Sequence, residues 1–352
     1  MEFLTDYGLF LAKAVTIVAA VLVVIIALVS VTQRSRHRHQ DGEIRVERLN
    51  DKFDSMKKAV QHKMLAAHER KAWLKRQKKD EKQKRKSAKS SENASDQDLR
   101  PRVFVLDFNG DIKASDTRSL RQCISAVLAV ARPDTDRVVV KLESGGGLVH
   151  AYGLAAAQLD RIRQAKLPLT ACVDKVAASG GYMMACVADR IVASPFAVVG
   201  SIGVVAQLPN FHRLLKKHDV DYEVLTAGEH KRTLTVFGEN TEKGREKFLD
   251  DLQDTHTLFK QYVAERRPAV AIDEVATGDI WFGQRALEVS LVDELMTSDQ
   301  YLIEACAAAD VYKVSYERHH SLSEKIGIGV SAGAEKLFLG MAELVRGGRF
   351  GG

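Results

Sequence analysis

The sequence predicts an α/β fold with a largely parallel sheet, preceded by a membrane-spanning helix and a basic stalk. Between residues 101 and 310, short aliphatic runs alternate with segments whose apolar residues recur at helical spacing. This alternation indicates βαβ units, because parallel strands need a crossover that is usually a helix. Two glycine-containing turns directly follow aliphatic runs, which is where open α/β sheets form their sites. Near the N terminus, an uncharged aliphatic stretch is followed by a strongly basic one.

The first 33 residues are predicted to be an N-terminal transmembrane anchor. Residues 14–31 have no charge and are nearly all aliphatic, and as a helix they span about 27 Å. Residues 8–12 extend the span if Lys13 snorkels. A cleavable signal peptide is disfavoured, because the positive charge follows the apolar stretch and no small-x-small cleavage site is visible.

A basic juxtamembrane stalk and linker is predicted over residues 34–100. From Arg34 to Lys89 there are 20 Lys or Arg against 8 Asp or Glu, whereas the whole chain has a net charge of only +6. The position beside the anchor favours contact with anionic lipid headgroups and control of topology over nucleic-acid binding. Residues 44–86 are predicted to form a polar helix or coiled coil, and 89–98 a flexible linker.

Residues 101–310 are treated as one α/β domain, since no clear internal repeat is visible. The predicted strands are 102–108, 137–142, 168–173, 191–194 and 220–225, and the predicted helices are 115–131, 149–165, 241–267 and 283–291. Residues 311–352 are assigned to a C-terminal extension, whose last part from Ser321 onward carries no motif that indicates a role. It is open whether an amphipathic helix there packs on the domain, on a neighbouring subunit or on the membrane.

The cysteines give no sign of a disulfide framework or a zinc site. Cys123, Cys172, Cys186 and Cys306 are far apart, lie in apolar surroundings and form no Cys-x-x-Cys pair. We interpret them as small core residues, which fits a reducing compartment. No metal or cofactor is predicted.

Ser179 is the first candidate for chemistry. It lies in Ala-Ala-Ser-Gly-Gly, after the strand at 168–173. Serine is a preferred helix N-cap, so a capping role and a nucleophile aimed by a tight turn are both open. A second turn, Glu-Ser-Gly-Gly-Gly at 143–147, follows another strand. Two such turns on neighbouring strands can point backbone N–H groups at one oxygen, although this turn alone is equally typical of an ordinary strand-to-helix connection.

A serine nucleophile needs a base, and none of the 11 histidines stands in an obvious catalytic setting. A lysine serves instead if burial disfavours its charged form. Lys231 is the candidate, because it lies between two glycine turns beside apolar residues, although a loop lysine is ordinarily solvated. Lys175 is a competitor four residues before Ser179, but strand-end geometry is expected to point it elsewhere.

Three stretches together resemble one family. ASGGYMMACVAD, GSIGVV and AGEHKRTLTVFGENTEKGREKF are similar, in order and spacing, to the signal-peptide peptidase A (S49) family of serine peptidases, and most of all to the SohB-type inner-membrane proteases of bacteria. The resemblance implies a Clp-protease/crotonase-like fold and a Ser/Lys dyad. Ser179 is then the nucleophile, Lys231 the general base, and Ser201 the second serine that hydrogen-bonds the lysine.

The same resemblance implies an oxyanion hole made by the N–H of Gly180 and one from the turn at Gly146 and Gly147. It implies peptide substrates with small side chains at the cleavage site, such as released signal peptides or membrane-protein fragments, and a homo-oligomer. The chain departs from the family at two positions. Gly145 stands where the family has proline, which loosens the turn, and Ser290 stands where the family has glycine at a helix C-terminus, at a cost of about 1 kcal/mol.

Two other functions remain open at this point. A crotonase-type acyl-CoA enzyme shares the implied fold and glycine turns, but it needs carboxylates at the site and fits poorly with a membrane anchor. A membrane scaffold with an inactive peptidase fold is the non-enzymatic alternative, weakly favoured by Gly145. The location is expected to be a bacterial inner membrane with a single N-terminal span. The basic residues after the span favour a cytoplasmic domain, whereas the family favours the periplasm.

Overall fold

The computed structural model describes residues 42–90 and 100–317 and has the predicted α/β architecture. The strands are β1 (Glu43–Arg48), β2 (Arg102–Gly110), β3 (Arg137–Ser144), β4 (Leu169–Val173), β5 (Val176–Ala178), β6 (Arg190–Ala193), β7 (Val198–Gly200), β8 (Ile280–Phe282), β9 (Glu294–Leu295) and β10 (Asp310–Glu317). The helices are α1 (Leu49–Met64), α2 (Ala67–Ser90), α3 (Thr117–Leu128), α4 (Val149–Gln164), α5 (Gly180–Ala185), α6 (His212–Lys217), α7 (Glu242–Arg266), α8 (Ile272–Val275), α9 (Gly283–Glu288) and α10 (Ser298–Ala308).

The described strands form one sheet with the order β1-β10-β2-β3-β4-β6-β9. The pairs from β10 to β9 along this path are parallel. A short branch leaves the end of β3, where Ser144 pairs with Ala177 of β5. From there β5 pairs with β7 in parallel, and β7 pairs with β8 in an antiparallel arrangement. This branch positions the candidate site, because β5 ends at Ala178 and Ser179 follows it.

Burial of both faces of the sheet explains why the sequences of β2 and β3 are continuous apolar runs. Val138, Val139 and Val140 are fully buried although consecutive residues point to opposite faces of the sheet, so both faces are covered. Each fully buried valine contributes about 1.5–3 kcal/mol relative to an exposed one. Helices α3 and α4, which pack against each other, follow the apolar spacing that the sequence predicted.

Three of the four cysteines are core residues. Cys123, Cys172 and Cys186 are buried and free, and Cys306 is half-buried. Burial raises the pKa of the Cys172 thiol to about 12 and that of Cys186 to about 12. These thiols therefore stay protonated, and the prediction of small core residues is confirmed for all three buried cysteines.

The secondary structure at the beginning of the predicted stalk differs from the prediction. Residues 43–48 form strand β1 rather than helix, and α1 and α2 are separate helices. Leu49 is 5% exposed and belongs to a core cluster with Val311. The Asn50 side chain donates to the carbonyls of Cys306 (3.1 Å) and Ala309 (3.0 Å) and accepts from the N–H of Val311 (2.8 Å). These tertiary contacts, which charge patterning does not reveal, join this segment to the α/β unit.

The predicted strand at 220–225 is wrong. These residues have no regular structure, and Val220, Tyr222 and Leu225 are 47%, 51% and 89% exposed. The alternating apolar pattern indicated a strand, but the segment has no neighbouring strand within the described residues to complete a hydrogen-bond ladder. The long helix at 241–267 is confirmed as α7, and Thr241 caps it by accepting from the N–H of Gly244 at 3.1 Å.

Two other predictions fall at the ends of the chain. The membrane anchor at 1–33 lies outside the described residues, as does the chain beyond Glu317. Within 42–90 and 100–317, no helix is both long enough and apolar enough to span a bilayer. The first residues assigned to the C-terminal extension belong to β10, which pairs in parallel with β2 from Asp310 to Lys313.

Candidate active site

Ser179 lies in a strained turn between β5 and α5. Its backbone has φ 52° and ψ −118°, a conformation that non-glycine residues rarely adopt. The Ser179 N–H donates to the carbonyl of Gly200 (2.8 Å), and its carbonyl accepts from Met183 (2.9 Å). Ser179 occupies the N-cap position of α5, but its side chain makes no capping hydrogen bond. The hydroxyl is therefore not used by the helix, and strain of this kind is concentrated at functional sites.

The two predicted glycine turns meet at Ser179. Gly146 has φ 91°, and a Cβ atom added there would lie 2.7 Å from the nitrogen of Gly180 and 2.8 Å from Cβ of Ser179. Such distances are far below ordinary contact, so only glycine allows the two segments to approach this closely. Gly146 and Ser179 are 33 positions apart in the sequence, yet Gly146 lies directly against the candidate nucleophile.

The N–H groups of these turns differ in availability. Gly146 donates its N–H to Ser144 Oγ at 3.1 Å. Within the described residues, the N–H groups of Gly147 and Gly180 have no hydrogen-bond acceptor. Both glycines line the same cavity as Ser179. Two uncommitted backbone donors beside a serine are the arrangement that stabilises an oxyanion.

The cavity beside Ser179 has a volume of about 180 Å³ and a largely apolar wall. One side is built from α4 and α5, including Gly153 and Met183, and the other from α7, including Leu258 and Phe259. Sequence reasoning identified α7 as a helix but not as a wall of the site. The signal available was only its apolar face, which does not say what the helix packs against.

A polar contact fixes α7 to α4 at the edge of this cavity. Arg266 pairs with Asp160 (2.9 Å), and its guanidinium lies 3.5 Å from the centre of the Tyr262 ring. Tyr262 lines the cavity and donates to Asp160 at 3.3 Å. Burial and the Asp160 carboxylate raise the pKa of Tyr262, which keeps its hydroxyl protonated as a donor.

Ser201 directly follows β7, the strand that neighbours β5, and so lies beside Ser179. Ala178 and Gly200 are register partners, so the two serines leave β5 and β7 side by side. Ser201 also has a positive φ, 49°, and its N–H donates to the carbonyl of Asp279 (2.7 Å). The sequence motif Gly-Ser-Ile-Gly thus lies next to the serine turn in space, as the β5–β7 pairing requires.

Lys231 is not brought to Ser179. It is exposed in a segment without regular structure and lines a separate cavity of about 730 Å³ with Tyr222 and Phe237. No hydrogen bond joins it to either serine within the described residues. The competitor Lys175 points away and pairs with Glu143 (2.9 Å), with 71% of its side chain exposed, as strand-end geometry predicted.

Comparison with known proteins identifies the family. The model described as Peptidase family S49 N-terminal matches residues 2–159, and the model described as Peptidase family S49 matches residues 161–312. The chain belongs to peptidase family S49. The resemblance inferred from the sequence motifs is therefore confirmed, and the coarse function of this S49 chain is that of a protease.

Several relatives of this S49 protease align over most of its length. A protein named Probable protease SohB from Haemophilus influenzae is 49% identical over 330 residues, which cover 93% of this chain and 92% of that protein. A second Probable protease SohB, from Buchnera aphidicola subsp. Schlechtendalia chinensis, is 46% identical and covers 86% of this chain and 99% of that one. A putative protease from Methanocaldococcus jannaschii is 30% identical, over 59% of this chain and 70% of that one.

Proposed function

We propose that this S49 protease is a serine endopeptidase in which Ser179 is the nucleophile. The observation that supports the proposal is the strained position of Ser179 between β5 and α5, with an uncommitted hydroxyl beside two glycine backbones and an apolar cavity. Ser179 Oγ forms a bond to the substrate carbonyl carbon as its proton passes to the base. The C–N bond then breaks, the leaving amine takes that proton, and water hydrolyses the acyl-enzyme.

Two backbone N–H groups are proposed to stabilise the negative charge on the attacked carbonyl oxygen. Gly180 N–H and Gly147 N–H have no acceptor within the described residues, whereas Gly146 N–H is occupied by Ser144. Preorganised donors of this kind contribute about 10²–10³-fold each to the rate, because they need no reorganisation when charge develops. Gly146 contributes by its conformation rather than by its N–H.

Lys231 is proposed as the general base and Ser201 as the residue that hydrogen-bonds it. Lys231 is exposed, so the segment from 218 to 240 must fold over the serines before the lysine can reach Ser179. Several large apolar side chains of this segment are exposed, including Val224 and Leu225. Their burial by substrate or by a neighbouring subunit would supply the ordering energy, which agrees with a homo-oligomer.

The substrates are proposed to be extended apolar peptides, such as released signal peptides or membrane-protein fragments. The cavity beside Ser179 accepts one apolar side chain, since Met183, Leu258 and Phe259 contribute its wall. A site of this kind selects by size and apolarity rather than by charge. An N-terminal anchor in the inner membrane would place the protease next to such peptides.

The location is proposed to be the bacterial inner membrane, with the lipid bilayer as a partner and the catalytic domain in the cytoplasm. The support is the uncharged span at 14–31 followed by the basic segment that begins at Arg34. A periplasmic domain is the alternative. Fusing alkaline phosphatase to the C terminus distinguishes the two locations, since alkaline phosphatase is active only outside the cytoplasm. An inactive fusion is expected, and an active one would reverse the assigned side.

The nucleophile is tested with a fluorophosphonate probe on the full-length protein in mild detergent. Wild type is expected to be labelled and to hydrolyse a fluorogenic apolar peptide, and Ser179→Ala is expected to lose both. The base is tested by comparing Lys231→Ala with Lys175→Ala, whose lysine is paired with Glu143 at the surface. Loss of activity in Lys231→Ala but not in Lys175→Ala supports the Ser179/Lys231 dyad. Retained hydrolysis in Ser179→Ala, or equal activity of both lysine variants, would contradict the respective assignment.

A further inference from the structure

A buried chain of hydrogen bonds leads from the glycine turn to the loop after β2. Gly146 N–H donates to Ser144 Oγ (3.1 Å), Ser144 Oγ and the Tyr152 hydroxyl are 2.5 Å apart, and Tyr152 donates to the carbonyl of Asp111 (2.7 Å). The single proton of Tyr152 is used on Asp111, so Ser144 must donate to Tyr152. Ser144 in turn accepts from Gly146, and every donor in the chain has one acceptor.

Tyr152 contacts both halves of the candidate site. Its hydroxyl bonds Ser144 on the glycine turn, and its ring packs so closely on Gly180 that a Cβ atom there would collide with it. Gly110 leaves room for the two hydroxyls, since a Cβ at Gly110 would lie 2.5 Å from Ser144 Oγ. Tyr152 and Ser144 are 0% and 2% exposed, so water cannot replace a missing partner.

The same loop after β2 supports the turn at a second point. Leu148 N–H donates to the carbonyl of Ile112 (2.9 Å), and a Cβ on Gly147 would collide with that carbonyl. Asp111 stiffens the loop by accepting from the N–H of Ser115 (2.8 Å) and of Lys113 (3.1 Å). The turn is therefore held at both ends by one loop, although Gly145 leaves its backbone intrinsically free.

We propose that Ser144 and Tyr152 are positioning residues that hold the Gly146–Gly147 turn against Ser179 in the geometry needed for oxyanion stabilisation. The proposal rests on the proposed function, because it treats Gly147 N–H as an oxyanion donor. Gly145, which lacks the restriction on φ that proline imposes, leaves this positioning to the hydrogen-bond chain. The chain acts through backbone geometry and does not touch the substrate.

Removing the Tyr152 hydroxyl is expected to slow catalysis without weakening substrate binding. Tyr152→Phe leaves the ring on Gly180 but leaves Ser144 without its acceptor, so the turn is free to shift. A displaced oxyanion donor costs transition-state stabilisation only. We expect kcat to fall by about ten- to hundredfold while KM stays within about threefold. Ser144→Ala removes the acceptor of Gly146 N–H and is expected to have the same effect.

Tyr182→Phe is the matched control. Tyr182 is also fully buried, and its hydroxyl donates to the carbonyl of Leu291 (2.8 Å), away from the glycine turn. Both tyrosine variants lose one buried hydroxyl–carbonyl bond, and Tyr152→Phe also loses the bond from Ser144, so both are expected to lower the Tm, Tyr152→Phe by at least as much as Tyr182→Phe. Only Tyr152→Phe should lower kcat. An unchanged kcat in Tyr152→Phe, or an equal loss in Tyr182→Phe, would overturn the proposal.

The double variant Ser144→Ala/Tyr152→Phe tests whether the two residues act as one chain. Its kcat is expected to equal that of the more impaired single variant, whereas multiplied losses would mean independent effects and overturn the proposal. All rates are measured on the full-length protein with the same fluorogenic apolar peptide. Failure of the proposed function is recognised separately, because hydrolysis would then persist in Ser179→Ala.

Discussion

Gly146 lies directly against Ser179, closer than any residue with a side chain could approach. A Cβ at position 146 would be 2.8 Å from Cβ of Ser179, and the positive φ of Gly146 adds a second restriction. The neighbouring Gly145 is different, because a Cβ there would meet no atom within 4 Å. Two adjacent glycines of one turn therefore have separable roles.

Gly146→Ala is expected to abolish most of the peptidase activity and to lower the free energy of unfolding by about 1–3 kcal/mol, through overpacking and strain at a positive φ. Gly145→Ala is the control and should stay within about 0.5 kcal/mol of wild type. Hydrolysis of an apolar peptide and thermal unfolding measure both. Similar behaviour of the two variants would mean that the contact with Ser179 has no special importance.

Gly153→Leu is expected to narrow the substrate cavity. Gly153 lines it from helix α4, and a Cβ there meets no atom within 4 Å. The added side chain should reduce kcat/KM about tenfold or more for peptides with a bulky apolar residue at the cleavage site and spare those with alanine. Gly153→Ala is the control, since it gains helix propensity of about 0.8 kcal/mol but fills little space. An equal fall in kcat/KM for both peptides would contradict the assignment of this cavity to the substrate side chain.

Ser290→Gly is expected to stabilise the protein by about 1 kcal/mol. Ser290 follows α9 with φ 61°, the left-handed position at which helices favour glycine, so the sequence-based expectation of a helix C-terminus is correct. Its carbonyl accepts from Arg267 (2.8 Å), and a substitution by glycine keeps that bond. An increase in Tm of about 2–4 °C is expected. Ser290→Ala keeps the strain and should show no increase, so a gain in both variants would argue against the backbone explanation.

Asp136 provides a pH-dependent contribution to stability. Its carboxylate is fully buried and is bonded by the guanidinium groups of Arg102 and Arg132. Burial alone would raise the pKa of Asp136, but the hydrogen bonds from Arg132 and Arg102 outweigh it and hold the pKa well below its usual range. A depressed pKa contributes stability above the unfolded-state value of about 3.9, and that contribution is lost as the pH falls below it.

Asp136→Asn is therefore expected to lower the free energy of unfolding by about 3 kcal/mol at pH 7 and at pH 5, because one partner of a buried charge cluster is removed. At pH 3 the difference from wild type should shrink. The exposed Asp134 is the control, and Asp134→Asn should change stability by less than about 0.5 kcal/mol at each pH. Urea unfolding at the three pH values measures this, and a difference that persists or grows at pH 3 would contradict the assigned role of the carboxylate.

Much of the fold follows from local patterns. The aliphatic runs became β2, β3, β4 and β6 within a few residues of the predicted bounds, and α7 appears at the predicted place. The strand predicted at 220–225 failed, because alternation is satisfied only where another strand is available. The strand β1 was missed, because its charged residues suggested a polar helix and only the sheet edge supplies its partner.

The sequence by itself determined the parallel α/β class, the serine turn at Ser179 and the family, since buried strands, tight turns and motif order are encoded over short distances. Only the tertiary structure decided which segments meet there. It brought Gly146 against Ser179, set Ser201 beside it through the β5–β7 pairing, and joined the site to the loop after β2 through Tyr152. It also left Lys231 exposed. Contacts between distant segments depend on the register and packing of the whole sheet, which spacing along the chain does not contain.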